Sequence, residues 1–146
     1  MLRLLGEVLL RYTLVQKENW GGGLNGYSCY FDNTLLRCEL ANTTGSTASL
    51  STTQTSAFVN NWKHVAFAWN GTTQILYVNG VQEDSDVQLR NPSPSGSGFA
   101  IGRASYTTNG TIDEVRIYNR ALTSTEIAQL YNGTKTNYFT LKAVAG

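Results

Sequence analysis

The chain has 146 residues, 11 basic and 10 acidic, for a formal net charge of +1. It carries no basic cluster, so neither a nucleic-acid backbone nor an anionic membrane finds an electrostatic footprint on it, and no apolar stretch approaches the roughly 20 residues that a spanning helix needs. Fourteen glycines against two prolines, with charged residues at 14%, suit one turn-rich β domain and exclude a coiled coil.

The opening MLRLLGEVLL has an apolar run broken by Gly6 and Glu7, and no small-residue cleavage site follows it. It therefore reads as a strand, or as an accidental start within a longer gene, and not as a signal peptide. Residues 11–17 read as a strand. The loop after it, 18–26, contains WGGGLNG, too glycine-rich for an element interior. It lacks the Lys-Ser/Thr of a phosphate-binding loop.

In GYSCYFDNTLLRCEL, a tight turn at Asn33-Thr34 pairs Phe31 with Leu36 and sets Cys29 opposite Cys38. Alternation puts Tyr27, Cys29 and Phe31 on one face, as it does Leu36, Cys38 and Leu40. With a two-residue loop the cysteines fall at a non-hydrogen-bonded site, where Cα atoms approach most closely, so a disulfide is geometrically allowed. Two small buried thiols are the alternative. A bridge would imply an oxidising compartment.

The Thr/Ser-rich segment 42–56 reads equally as a long loop or a polar edge strand. NWKHVAFAWNGTTQILYVNG, residues 61–80, is a clear hairpin. A loop at 70–73 sets Val65 against Val78 and Phe67 against Leu76 on one face, with His64, Ala66, Ala68, Ile75, Tyr77 and Asn79 on the other. Two semi-apolar faces belong to a strand pair central to a sandwich. Residues 82–98 read as an acidic, proline-containing loop, 99–102 as a strand, and 105–110 as a turn.

Residues 110–131, GTIDEVRIYNRALTSTEIAQLY, give a β-branched run through Ile112, Val115 and Ile117, then a helix. Thr123 and Glu126 fit a capping box, Leu122 and Ile127 a hydrophobic staple, and Ile127, Leu130 and Tyr131 one apolar stripe. Asn132-Gly133 predicts the helix stop, leaving 137–146 as a last strand, tail or linker.

NWKHVAFAWNGTTQILYVNG, GSGFAIGRAS and GTIDEVRIYNRALTSTEIAQLYN, in this order, resemble the laminin-G-like, concanavalin A-like lectin/glucanase family. The resemblance spans about residues 12–132 and implies an all-β jelly-roll sandwich of two antiparallel sheets with one short C-terminal helix, over residues 1–136. It also implies a non-catalytic module of a secreted or surface protein that binds glycans or surface proteins, often with one calcium ion. Family members begin with further strands and a polar loop, so the chain resembles the C-terminal two-thirds of a full domain, truncated at its N-terminus.

That resemblance marks Asp113 as the calcium carboxylate, with the Asn109-Gly110 turn beside it as a source of further oxygens. The competing reading is a solvated acid paired with Arg116 or Arg103. Asp84 and Asp86 lack the glycine and distal glutamate of an EF-hand loop and read as a solvated turn. A lone histidine excludes multi-histidine zinc sites, and no serine stands in a nucleophile elbow. Glycanases on this fold place carboxylates on alternate residues of one strand, as E-x-D-x-E, and no such triplet occurs, which disfavours hydrolysis. Sugar-stacking candidates are Trp20, Tyr30, Tyr77 and Tyr106, with Trp20 in its glycine loop foremost. The polar sheet face near His64 and Tyr77 is the other candidate contact, while Trp62 and Trp69 read as core. Four sequons, at Asn42, Asn70, Asn109 and Asn132, double in part as turn chemistry. The expected function is carbohydrate recognition outside the cell; an attachment domain without glycan binding, or an accessory domain of a polysaccharide-degrading enzyme, are the alternatives.

Overall fold

The computed structural model describes residues 2–4, 12–18, 26–32, 35–41, 47–52, 61–87, 96, 98–102 and 110–144. Trp20, Tyr106, Asn109, Arg103 and the turn residues 33–34 lie outside them.

Among the described residues, eleven strands and one helix follow in chain order: β1 (Leu2–Leu4), β2 (Tyr12–Glu18), β3 (Gly26–Asp32), β4 (Leu35–Ala41), β5 (Thr47–Ser51), β6 (Trp62–Lys63), β7 (Val65–Trp69), β8 (Thr73–Val78), β9 (Val81–Val87), β10 (Ala100–Ile101), β11 (Gly110–Ile112) and α1 (Ser124–Val144). One layer is an antiparallel sheet ordered β10-β2-β3-β4-β5. The facing layer is β7-β8-β9, continued by the short sheet β11-β1-β6. The two parts of this second layer share one run of chain, Trp62 to Trp69, interrupted at His64. There Asn79 substitutes for the ladder: its N–H donates to the His64 carbonyl (2.8 Å) and its Oδ1 accepts from the His64 N–H (3.1 Å).

The core lies between the layers. Leu14, Cys29, Phe31, Leu36, Cys38 and Leu50 come from one sheet, and Leu76 and Val78 from the other, with Val65, Phe67 and Ile112 packed against them. Alternation selects these residues, because one face of each strand is buried and any one-residue slip would turn it outward. The hairpin registers follow that logic. Cys29 sits opposite Cys38 and Phe31 opposite Leu36, closing with Asp32 against Leu35. Val65 pairs with Val78 and Phe67 with Leu76. Cys29 and Cys38 form a disulfide with Cα atoms 4.1 Å apart.

Three segments depart from the sequence reading. The expected loop at 82–98 begins instead as β9, because Asn79 (φ +52°) and Gly80 (φ +78°) form a two-residue turn of the kind that hairpins favour. The acidic side chains that suggest a loop here belong to an exposed edge strand, where charge guards an open ladder. Of the ambiguous segment 42–56, Thr47–Ser51 is an edge strand paired to β4.

The strand expected through Val115 and Ile117 stops at Ile112. Its last pair with β1 is Ile112 with Leu2, and Glu114 then turns left-handed (φ +55°) with its N–H donating to Asp113 Oδ1 at 2.8 Å. Val115, Ile117 and Tyr118 are consequently exposed.

The helix begins as its capping box predicts. Thr123 N–H donates to Glu126 Oε2 (2.8 Å) and Glu126 N–H to Thr123 Oγ1 (3.2 Å). It then continues past Asn132-Gly133 to Val144, so residues up to 144 are helical and form no last strand. A glycine permits the left-handed stop without requiring it, at a cost of about 1 kcal/mol inside a helix. The Thr134 hydroxyl donates back to the carbonyls of Leu130 (3.0 Å) and Tyr131 (2.9 Å) over this stretch.

Candidate functional site

The helix explains why the second face of the β7–β8 hairpin is also semi-apolar. Ile127 is buried to 1% exposure, and α1 approaches so closely that a Cβ on Gly80 would stand 3.2 Å from Ala128 Cα and 3.3 Å from Tyr131 Cδ1. Glycine at position 80 thus serves both the left-handed turn and helix docking.

Beside residues 121–124, where the chain enters α1, this face opens into a pocket of about 320 Å³. Its floor is Ala68, Ile75 and Tyr77, and its rim includes Asn70, Thr73 and Ser124. Asn70 Oδ1 is committed to the loop, accepting from Thr72 N–H (3.0 Å), the Thr72 hydroxyl (3.1 Å) and Thr73 N–H (2.8 Å). This arrangement directs the amide Nδ2 away from the turn as a donor. The Thr123 hydroxyl is likewise engaged with Glu126, at 3.1 Å to Oε2.

A broader groove of about 730 Å³ runs between residues 114–122 and the outer side of α1. Its cations are neutralised locally. Arg116 pairs with Glu114 at 2.6 Å, and Arg120 grips both Glu126 oxygens at 2.9 and 2.6 Å. The Arg120 bonds, together with the Thr123 amide, hold the Glu126 carboxyl down at about 2.

Of the residues singled out from the sequence, Tyr77 reaches the pocket, as its floor, at 3% exposure. It therefore offers a recessed edge instead of an open stacking platform. His64 shares its sheet face but lies aside, half-buried, its ring centroid 6.1 Å from that of Tyr131. Its Nδ1 is buried without a hydrogen-bond partner, and burial, with help from nearby positive charge including Arg116, lowers its pKa.

Asp113 is exposed at the end of β11, with one carboxylate oxygen already accepting from Glu114. No group of three or more histidine, cysteine or acidic side chains gathers among the described residues, and Asn109 is outside them. The described residues alone do not fit a calcium cage of six to eight oxygens. Asp84 and Asp86, expected in a solvated turn, stand at alternate positions of β9. Their oxygens tie down backbone: Asp84 accepts from Ser51 N–H (2.9 Å) and Ser85 N–H (2.8 Å), and Asp86 from Val87 N–H (2.8 Å).

One polar constellation escaped the sequence reading. Opposite the core, the five-stranded sheet aligns Gln16, Ser28, Glu39 and Ser49 across four strands. The buried Glu39 accepts from the Ser28 hydroxyl (3.3 Å) and the Tyr30 hydroxyl (3.1 Å). The alternation that puts Cys29 and Cys38 inward also dictates this row, so Tyr30 is a partner of Glu39 and only 6% exposed.

Among solved structures, the receptor binding domain of botulinum neurotoxin D superposes with a TM-score of 0.67 at 16% identity, over 91% of this chain and 35% of that one. The binding domain of Paraclostridial Mosquitocidal Protein 1 matches at 0.62 and 22% identity, over 87% and 32% of the two chains. The serotype D binding domain in complex with N-acetylneuraminic acid matches at 0.64 and 18%, over 86% and 32%. The chain thus spans about a third of each of these structures, and at such identities the likeness speaks for the fold. No curated protein matches by sequence. With its two-layered β architecture and a family-model match over residues 10–128, the chain belongs to the concanavalin A-like lectin/glucanases superfamily.

Proposed function

We propose that this chain is a non-catalytic, extracellular recognition module whose ligand is carbohydrate. The observation that carries the reading is the pocket above Tyr77. An apolar floor of Ala68, Ile75 and the tyrosine edge meets a rim of amide and hydroxyl groups. That combination suits a pyranose, which has C–H faces and a hydroxyl perimeter, and the volume falls in the range of small-ligand sites. Membership of a lectin-containing superfamily and the sialic-acid complex of a structural neighbour support it. The buried Cys29–Cys38 bridge supports an oxidising, extracellular setting.

Binding without turnover is supported by the carboxylates. Asp84 and Asp86 hold backbone amides, and Glu39 is occupied by two hydroxyls, so none of the three is poised as an acid opposite a nucleophile. His64 and Trp20 are proposed as further ligand contacts, and calcium is not needed for this mode of recognition. A screen of immobilised glycans with purified protein tests the proposal. Saturable binding to at least one glycan, weakened by Trp20→Ala or by filling the pocket with Ala68→Phe, is the expected result. Failure with every glycan would leave attachment through protein surfaces as the reading.

A further inference from the structure

We infer that the Tyr77 pocket takes a neutral sugar residue and discriminates against acidic ones such as sialic acid. The inference rests on the carbohydrate reading above and adds the ligand's charge class. Its first ground is the lining: among the described residues, no ionisable side chain other than the buried Tyr77 phenol faces the cavity. A carboxylate entering it would lose hydration without gaining a cation, a large cost for an ion and a small one for a hydroxyl.

The second ground is the start of α1. Helix N-termini attract anions through their unpaired N–H groups and dipole, and this one borders the pocket through Thr123 and Ser124. That position is already filled by the chain's own anion. Glu126 accepts from Thr123 N–H at 2.8 Å, and the cation that might have served a ligand, Arg120, is bound to both Glu126 oxygens. An incoming carboxylate would find this cation already engaged by Glu126. Arg116, which lines the outer groove with Arg120, is closed by Glu114 at 2.6 Å.

What remains for a ligand is neutral hydrogen bonding. Asn70 Nδ2, Thr73 Oγ1 and Ser124 Oγ stand on the rim, and among the described residues none of these three atoms has a hydrogen bond to another side chain or to the backbone. The amide is a donor, while each hydroxyl both donates and accepts, the complement of a sugar's hydroxyl edge.

The test is a pair of titrations of the whole chain followed by amide and side-chain NMR: methyl glycosides of neutral hexoses in one, the methyl glycoside of N-acetylneuraminic acid in the other. We expect a neutral hexoside to shift Ile75, Tyr77 and Ser124 saturably, and the sialoside to shift them at least tenfold more weakly. Ser124→Ala and Thr73→Ala, both at exposed or half-exposed positions, should each weaken the neutral sugar roughly fivefold while leaving the spectrum of the free protein intact. Ser124→Lys should narrow the gap between the two sugars. A sialoside that binds the same residues as tightly as the hexoside would overturn the inference and leave the carbohydrate reading standing. So would a hexoside whose shifts fall away from the pocket. Absence of shifts with both would overturn the carbohydrate reading itself.

Discussion

Reducing the Cys29–Cys38 bond while leaving the sulfurs in place isolates the cross-link. Both cysteines are buried, at 6% and 0% exposure, and a thiol packs as a small hydrophobe, so reduction alters the core little. What changes is the unfolded chain. The bridge joins residues nine apart, and the loop-closure entropy for a ring of that size is about 2.5 kcal/mol at 25 °C. Urea unfolding followed by tryptophan fluorescence, with and without a phosphine reductant, should show the midpoint falling by roughly 1–2 M for a denaturant slope typical of small domains. Thiol counting by mass spectrometry before unfolding must show none free in the oxidised sample. Coincident curves for the oxidised and reduced protein would refute the reasoning, because the hairpin would then be closed in the unfolded chain without the bond.

The helix clamp gives the next outcome: Ile127→Ala should cost about 2–5 kcal/mol, measured as a lower thermal midpoint, because this side chain of α1 is buried to 1% exposure. Gly80→Ala should also destabilise, since φ is +78° and the new methyl meets Ala128 and Tyr131, whereas Gly71→Ala, with open space around it, should show the backbone strain without the clash. On acidification, stability should fall as pH drops through 6.5, because burial holds the folded His64 below that value and the unfolded chain takes the proton first; His64→Gln should flatten this limb. A second decline is expected between 4.5 and about 2, where Glu126 loses its bonds to Arg120 and Thr123, and Glu126→Gln should remove it. Calcium at 1 mM should stabilise by less than about 0.4 kcal/mol, the value for half-saturation, and Asp113→Asn should not change the effect. A large melting shift abolished by that substitution would instead restore a working calcium site.

Much of the sandwich was legible because burial on one strand face leaves a period-two signature. The registers of Cys29 with Cys38 and Val65 with Val78 follow from it directly. The same signature carried the polar row of Ser28, Tyr30 and Glu39, which is overlooked when only the apolar half of an alternation is read. Local chemistry misled in three places. The acidic run after Gly80 resembles a loop but borders the sheet, although Asn79-Gly80 between two valines already signals a hairpin. The β-branched residues at 115 and 117 have strand propensity, yet Glu114 turns left-handed just after the Leu2–Ile112 pair and takes them out of the ladder. Asn132-Gly133 has the chemistry of a stop, while the helix runs on. Of the pocket, the floor was legible as the shared face of Ala68, Ile75 and Tyr77. Its rim joins a hairpin loop to a helix start some 50 positions later in the chain, and no local pattern encodes that meeting.

Titration calorimetry of the purified chain with a glycan from the screen tests recognition without catalysis most directly, since one trace reports both. Recognition without turnover should give heats that saturate and return to baseline after every injection, with a neutral-sugar ligand and without added calcium. Heat that persists after each injection, reporting turnover, would contradict it, and so would flat traces with every glycan tried.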